Sequence, residues 1–368
     1  MTGSLSRLQP MNASTSNTLA GQKRLAARLI SRYKRNADAL PSSGFGLRAK
    51  VLSAILLMRG YEAFMYSMRS PYPKVIALLR WQLEYLECTR TSYSSTAAEP
   101  SSKIGNNTKV KRSTANDLHF QNVYKNLWGH FDQQSFRRFG ERVAARLRVL
   151  TAGGGLNGMR GLDVGCGSGA FTFGAAALGA HCIGIDPGVG NISFARKIAK
   201  RTGAIGVLFR KGSAYELEFA AGIFDFVICI GVLHHLEDPE QALREMHRVL
   251  KPSGYLYINE DGAGGMYNSL WDAVLHIFST ASVRETADIV EALKVSPNAQ
   301  INFMDGFFLH YQRRSLKSLV ELLRSAGFSQ ATLLKGSAPH DLSALDFTND
   351  PYFVDKFGAG ALRMQVYK

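Results

Sequence analysis

Apolar residues along the middle of this chain alternate between two spacings, and the alternation predicts its fold class. Five short runs rich in β-branched and aromatic residues predict buried strands at residues 161–164, 181–185, 206–209, 226–230 and 255–259. Between them, apolar residues spaced three or four apart predict helices at 171–178, 192–201 and 239–250. Strand and helix alternating in this way predict a doubly wound α/β domain with a mostly parallel sheet.

The segments on either side of this region extend the prediction to residues 117–368. Helices are expected at 120–130, 136–150 and 315–327, and the last two strands at 329–334 and 361–367. The stretch 260–314 is then an insertion above the carboxyl ends of the strands, where such sheets bind ligands. Its large apolar residues favour either a lid over an apolar substrate or a helical elaboration packed on the domain. They are Met266, Tyr267, Leu270, Trp271, Phe278, Phe303, Phe307 and Phe308.

The first 116 residues show a different pattern. Residues 49–90 predict two apolar helices that are separated at Pro71 and Pro73. They contain too many apolar residues for an exposed surface, so we expect them to pack on the rest of the protein, on a partner or on a membrane surface. Residues 91–116 are rich in Ser, Thr, Asn and Lys and predict a linker. Residues 1–48 combine many basic residues with a short stripe of Leu25, Leu29 and Tyr33, and we expect a disordered or targeting-like tail.

Charge is distributed as unevenly as hydrophobicity. Residues 1–150 carry 24 Lys and Arg against 8 Asp and Glu, whereas residues 151–368 carry 20 against 21. The basic part therefore favours an anionic neighbour, either a membrane surface contacted by the helical extension or, less favoured, a nucleic acid. A hydrophobic content of 46% excludes a wholly disordered chain. Four cysteines with neither disulfide nor metal-ligand spacing predict a reducing, cytoplasmic location and no metal; the basic start leaves an organelle as the alternative.

A glycine-rich turn follows the first predicted strand. Gly165, Gly167 and Ala170 satisfy a G-x-G-x-x-A dinucleotide fingerprint, with Asp186 about 20 residues further on. Asp163 argues against that interpretation, because a carboxylate at the end of the strand would repel a pyrophosphate. The same charge would attract the ammonium and sulfonium groups of S-adenosylmethionine.

From this point the chain resembles the class I S-adenosylmethionine-dependent methyltransferases, whose first motif is an acidic residue followed by G-x-G-x-G. Four further blocks follow in the family's order: Gly184-Ile-Asp186-Pro187, then residues 212–217, 224–239 and 248–256. The blocks together cover about residues 120–259. The resemblance implies a seven-stranded sheet with one antiparallel strand near its end, and S-adenosylmethionine as cofactor.

The resemblance also implies which residues bind the cofactor. Residues of the first loop, together with the strand residue that precedes it, would hold the methionine end: Asp163, Gly165, Cys166, Gly167 and Gly169. Asp186, followed by Pro187, would take the ribose hydroxyls. Ser213, Ala214 and Tyr215 would lie along the adenine, and Ser213 stands where the family usually has an acid. Ile230 and Gly231 complete the set at the end of the fourth strand.

Two adjacent histidines, His234 and His235, are the candidate catalytic residues. A histidine beside the methyl group could accept a proton from an acceptor hydroxyl, since its pKa lies near working pH. The same His-His block occurs in methyltransferases with quite different acceptors, which favours a positioning role for at least one of the pair. Further polar groups that could reach the crevice are His310, Glu260, Asp261 and Tyr267. Cys166 and Cys229 are expected to be packing residues.

The predicted function is methyl transfer from S-adenosylmethionine to a small-molecule or lipid-like acceptor through oxygen or carbon. The apolar insertion and the resemblance to the quinone, sterol and small-molecule branch of the family favour this acceptor class. Two alternatives remain at this point: a tRNA-modifying methyltransferase, which the basic N-terminal part would suit, and a methyltransferase-like assembly factor without activity, to which Ser213 points.

Overall fold

The computed structural model describes residues 18–95 except 43, then 155–279, 311–335 and 349–368, with scattered residues at 143–148 and 281–303. The chain forms two compact units. Residues 1–105, 266–296 and 302–306 make up a helical unit. Residues 106–265, 297–301 and 307–368 make up a sheet unit.

The elements are numbered here in chain order. The helices are α1 (Leu19–Asp38), α2 (Gly44–Glu62), α3 (Tyr72–Ser95), α4 (Ala170–Ala177), α5 (Val189–Thr202), α6 (Pro239–Val249), α7 (Gly265–Ser279), α8 (Leu316–Ser325) and α9 (Phe353–Phe357). The strands are β1 (Arg160–Val164), β2 (His181–Asp186), β3 (Val207–Lys211), β4 (Phe224–Ile230), β5 (Leu250–Asp261), β6 (Gln330–Leu333) and β7 (Ala361–Tyr367). A short 3₁₀ turn spans Leu233–His235.

The sheet has seven strands in the order β3-β2-β1-β4-β5-β7-β6. The strands from β1 to β5 are parallel to their neighbours, and β7 runs antiparallel to both β5 and β6. This confirms the predicted fold class. β5 begins earlier than predicted because its first turn-like residues, from Leu250, already pair with β4 at Phe224.

Side chains that alternate along the central strands fill two cores, one on each face of the sheet. Phe226 and Ile228 of β4 point to one core, and Val227 and Cys229 point to the other. The first core includes residues of α4, and the second packs α6 and α8 against the sheet. Burial on both faces explains why these strands read as nearly continuous apolar runs. Because β1 to β5 pair in parallel, their carboxyl ends lie at a single edge, where loops can carry polar groups.

Helix α1 corrects the expectation of a disordered tail for residues 19–38. Thr18 caps the helix, its Oγ1 accepting a hydrogen bond from the Gly21 backbone N–H at 3.1 Å. A stripe of Ala26, Leu29, Tyr33 and Ala37 is buried. The tail was misread because small alanines supply much of the stripe while basic residues dominate the composition. Whether the segment acts in targeting stays a prediction, and residues 1–17 lie outside the described part.

Helices α2 and α3 confirm the two helices predicted for residues 49–90, and α3 continues to Ser95, into the expected linker. A chain of hydrogen bonds lies inside this unit. The Tyr33 hydroxyl and Ser53 Oγ are 3.0 Å apart, and Ser53 Oγ donates to Gln82 Oε1 at 2.8 Å. Burial raises the pKa of the Tyr33 hydroxyl well above its usual range, so that it stays neutral.

Helix α7, which sequence analysis assigned to an insertion of the sheet domain, belongs to the helical unit instead. His276 Nε2 lies 2.8 Å from Asp38 Oδ1 at the end of α1. Trp271 and Phe278 both pack on the ring of Phe303. Among the described residues of the insertion, Met266, Leu270, Trp271, Phe278 and Phe303 are buried in this unit, and a lid function for the stretch stays a prediction.

Several predicted features lie outside the described residues. They include the helix at 120–130, most of the helix at 136–150, the linker beyond Ser95, and His310, Phe307 and Phe308. Within the described part of the chain, the helices are all too short or too polar to cross a bilayer.

Candidate active site

The turn after β1 brings two loops of the sheet edge together. Gly165 has a φ of 71°, a left-handed conformation that residues with a Cβ seldom adopt. A Cβ at this position would also lie 2.4 Å from Cγ2 of Val232, which follows β4. Glycine is therefore needed here both for the turn and for the close approach of the β4 loop. The chain then enters α4 at Ala170, with its helix N-terminus behind the turn.

Asp186, the last residue of β2, fastens this turn to the neighbouring strand. Its Oδ2 accepts a hydrogen bond from Gly167 N at 3.0 Å. Its Oδ1 accepts from Gly188 N at 2.8 Å and from Asn191 Nδ2 at 3.0 Å. The side chain is buried, and three donors converge on it. Such donors favour the charged carboxylate.

The surroundings of Asp186 fit the ribose of the cofactor that the fold family implies. Within the described part of the chain, the buried Oδ1 of Asn191 has no hydrogen-bond partner. A carboxylate oxygen accepts more than one hydrogen bond, and Asp186 Oδ2 accepts from Gly167. An orphaned acceptor beside a carboxylate suits a group that brings hydroxyl donors. Asn191 thus joins the predicted Asp186 as a candidate ribose-binding residue.

Asp163 lies deeper than the crevice expected for it. The side chain is buried in the sheet, and its Oδ2 accepts a hydrogen bond from Thr172 Oγ1 of α4 at 2.7 Å. Burial raises the pKa of Asp163 to about 7, although the hydrogen bonds from Thr172 oppose the shift. An adjacent cation would favour the charged form and lower that pKa. Contact with the methionine end of the cofactor stays a prediction for this residue.

The loop after β3 is held by its own hydrogen bonds. Ser213 Oγ accepts from Tyr215 N at 3.2 Å, which closes a turn around Ala214. The Tyr215 hydroxyl accepts from Glu237 N at 3.0 Å, so this loop is tied to the loop that follows β4. The serine at the place of the usual acid therefore shapes the predicted adenine loop.

The carboxylate of Glu260 organises the loop after β4. Its Oε1 accepts hydrogen bonds from Val232 N at 3.3 Å and Leu233 N at 3.1 Å. Its Oε2 accepts from His234 N at 3.1 Å and lies 2.9 Å from His234 Nδ1. Glu260 is 3% exposed, so these donors replace water around a buried charge. The buried guanidinium of Arg314, which donates to Leu233 O at 3.4 Å, adds positive charge near the same carboxylate.

The two candidate histidines have different environments. His234 is 4% exposed, and its Nδ1 lies 2.9 Å from Glu260 Oε2. His235 is only half-buried, with its ring centroid 4.1 Å from that of His234 and 5.2 Å from that of Tyr311. The Tyr311 hydroxyl donates to Asp261. Of the pair, His234 is held as part of the loop and His235 is the ring that can be approached.

Other residues of the motif blocks hold the framework together away from this edge. Arg248 donates to Leu217 O and Phe219 O, both at 2.8 Å, and thereby anchors the connection between β3 and β4. Lys251 Nζ lies 2.6 Å from Asp225 Oδ1 at the beginning of β4. Burial raises the pKa of the Cys166 and Cys229 thiols well above their usual range, which disfavours the thiolate that nucleophilic chemistry needs.

The structure thus brings the predicted loops into one continuous edge, at the carboxyl ends of β1 to β5. Sequence reasoning gave Glu260 little weight and did not single out Asn191, Thr172 or Arg314. An acid at the end of β5 was the available signal for Glu260. Its partners lie 26 to 28 residues away in sequence and become neighbours only through the pairing of β4 with β5.

Comparison with known proteins agrees with this arrangement. Residues 162–258 match the family model described as a methyltransferase domain. A ubiquinone biosynthesis O-methyltransferase of Marinobacter nauticus is 36% identical over 117 residues, which are 31% of this chain and 49% of that protein. A protein of the same name from Pseudomonas aeruginosa is 34% identical over 131 residues, covering 35% of this chain and 56% of its own length. The chain thus spans about half the length of the curated relatives it matches.

Solved structures resemble the chain at lower identity. A methyltransferase from Thermotoga maritima, described as a possible histamine N-methyltransferase, is 22% identical, with a TM-score of 0.39 over 69% of this chain and 99% of its own. The family match extends from β1 into β5 and includes the loops that follow β1, β2, β3 and β4. The predicted resemblance is confirmed: residues 162–258 form a methyltransferase domain, and the sheet that carries it is that of a class I S-adenosylmethionine-dependent methyltransferase.

Proposed function

We propose that this chain transfers the methyl group of S-adenosylmethionine to an oxygen atom of a small, lipid-like acceptor. The observation that carries the proposal is the similarity to ubiquinone biosynthesis O-methyltransferases, at 36% identity over 117 residues and 34% over 131 residues. Those proteins are named for O-methylation in the biosynthesis of a lipid-soluble quinone. Oxygen is therefore favoured over the carbon nucleophile that the sequence left open.

Cofactor binding in this proposal uses the loops of β1, β2 and β3. When bound, S-adenosylmethionine supplies an electrophilic methyl group. Asp186 and Asn191 would bind the ribose hydroxyls, and Ala214 and Tyr215 would lie along the adenine. The carboxylate of Asp163, which lies beneath the turn after β1, would attract the cationic groups at the methionine end of the cofactor. The residues mainly orient the reactants, a contribution worth up to about 7–11 kcal/mol in well-aligned reactions.

Proton removal from the acceptor is assigned to His235. A hydroxyl that attacks a methyl group must lose its proton, and a half-exposed imidazole can accept it. Glu260 acts as a positioning residue in this scheme. It holds three backbone N–H groups of the loop and the ring of His234, against which His235 packs.

The test is methyl transfer from labelled S-adenosylmethionine to a cell extract, followed by separation into lipid, small-molecule, RNA and protein fractions. Label in the lipid or small-molecule fraction, absent with a His235→Gln chain, supports the proposal. Label in RNA would favour the tRNA alternative. Tight cofactor binding by calorimetry without any transfer would favour the assembly factor, and absence of cofactor binding would refute the proposal entirely.

A further inference from the structure

One face of helix α2 combines exposed apolar side chains with arginines. Phe45, Arg48, Leu52, Leu56 and Arg59 follow one another at intervals of three or four residues, which places them on one side of the helix. Phe45 is 60% exposed, Leu56 is 37% exposed and both arginines are exposed, while Leu52 is half-buried. We call these five residues the outer stripe of α2.

The outer stripe is unusual because the opposite side of α2 already supplies the core. Leu47, Val51, Ala54 and Met58 are fully or almost fully buried inside the helical unit. A helix that is apolar on all sides normally lies within a protein or a membrane. The packing of the unit therefore accounts for one side of α2 and leaves the apolar residues of the outer stripe to be explained.

Charge indicates what covers this stripe. The described residues 18–95 carry 13 Lys and Arg against 4 Asp and Glu. One of those acids, Glu62, already pairs with Arg59 on α2. Arginines beside apolar side chains can hold their guanidinium groups at lipid headgroups while their stems lie among acyl chains. A protein partner of opposite charge would satisfy the arginines but would not require Phe45 and Leu56 to protrude between them.

We propose that the outer stripe of α2 docks the protein on an anionic lipid surface. The helix lies in the plane of the interface, with Phe45 and Leu56 inserted among the acyl chains and Arg48 and Arg59 at the headgroups. From Phe45 to Arg59 the stripe is about 21 Å long, at about 1.5 Å per residue. This proposal is independent of the proposed methyl transfer, since it concerns the helical unit and needs neither cofactor nor acceptor.

The experiment measures co-flotation of the full chain with vesicles of phosphatidylcholine alone and with vesicles that also contain the anionic lipid phosphatidylglycerol. We expect binding to the anionic vesicles only. Phe45→Ser/Leu56→Ser should weaken it at least tenfold, and Arg48→Gln/Arg59→Gln should weaken it by about thirtyfold. The matched controls lie in the sheet unit. Ile205→Ser removes a residue that is 88% exposed, and Lys197→Gln/Arg201→Gln removes two exposed charges from α5.

Both control chains should bind like the wild type, and circular dichroism and thermal melting should show that every variant is folded. The two stripe variants act through different chemistry, so a folding defect in one leaves the other decisive. Equal binding by wild-type and stripe variants, or equal loss in the controls, would overturn the proposal. The proposal would also be overturned if the wild type formed a dimer and did not bind vesicles, while the Phe45→Ser/Leu56→Ser chain stayed monomeric. A second copy of the chain would then occupy the stripe. Salt-sensitive RNA binding without vesicle binding would overturn it as well.

Discussion

Replacing Glu260 by glutamine tests the role of its carboxylate with almost no change in shape. The carboxylate receives three backbone N–H bonds and the ring of His234. A glutamine keeps one acceptor oxygen and has an NH₂ group in place of the other. The NH₂ group cannot accept a hydrogen bond, so an N–H donor that faces it loses its partner. An orphaned buried N–H costs about 1–3 kcal/mol, and each remaining bond loses the advantage of a charged acceptor, about 1 kcal/mol. We therefore expect Glu260→Gln to lower the free energy of unfolding by about 2–4 kcal/mol, allowing for incomplete additivity.

Urea denaturation at pH 7.5, followed by fluorescence and circular dichroism, measures this loss. The control is Glu240→Gln, which removes an exposed acid paired with Arg244 on α6 and should cost about 0.5 kcal/mol or less. Turnover should fall together with stability in the Glu260→Gln chain, because the loop that carries His235 loses its anchor. A Glu260→Gln chain as stable as the control would refute the assignment of Glu260 as the organiser of this loop.

Three further predictions follow from the same edge of the sheet. The pKa of Asp163 is about 7 in the folded chain and 3.8 in the unfolded chain, so the unfolded chain loses this proton at lower pH. The free energy of unfolding therefore falls as the pH rises from about 4 to 7. Between pH 5 and pH 8 the fall is about 2–3 kcal/mol, and denaturation at these two pH values should show it in the wild type but not in Asp163→Asn. Asp186→Asn should weaken S-adenosylmethionine binding by roughly 30- to 1000-fold in calorimetry, and unchanged affinity would exclude a ribose contact. His235→Gln should lose about 10²–10⁴ in turnover with cofactor affinity intact, whereas full turnover would remove His235 as the base.

The central strands β1, β2, β4 and β5 could be predicted because each contains its own local run of mostly buried residues. β7 was predicted at its observed bounds, and β1 and β2 within one residue of theirs. α1 was missed because two of its buried residues, Ala26 and Ala37, are small and only weakly hydrophobic. The hydrophobic periodicity of the segment is therefore weak, whereas its many basic residues dominate the composition. The placement of α7 was missed for another reason: an amphipathic segment shows that it packs, but its sequence does not say on what.

Within the candidate site, the sequence located the residues that end strands and turn loops, such as Asp186 and Gly165. Their position follows from the order of strand, turn and helix. The pairing of Glu260 with the β4 loop could not be derived in the same way, since it depends on the register between two strands and on which oxygen faces which amide. The different exposures of His234 and His235 also require the three-dimensional arrangement, because the two residues are adjacent in sequence.

The contact between Asp38 and His276 has a consequence for how this protein is made. The two residues are 238 positions apart, yet both belong to the helical unit. At a synthesis rate of about 5–20 residues per second, α1 leaves the ribosome roughly 10–50 seconds before α7 is available to it. During that interval the helical unit is incomplete while the strands of the sheet unit are already being produced. The sheet unit is completed later still, because β6 and β7 follow α7 in the chain, so we expect the N-terminal helices to wait for α7 with their apolar residues a target for chaperones.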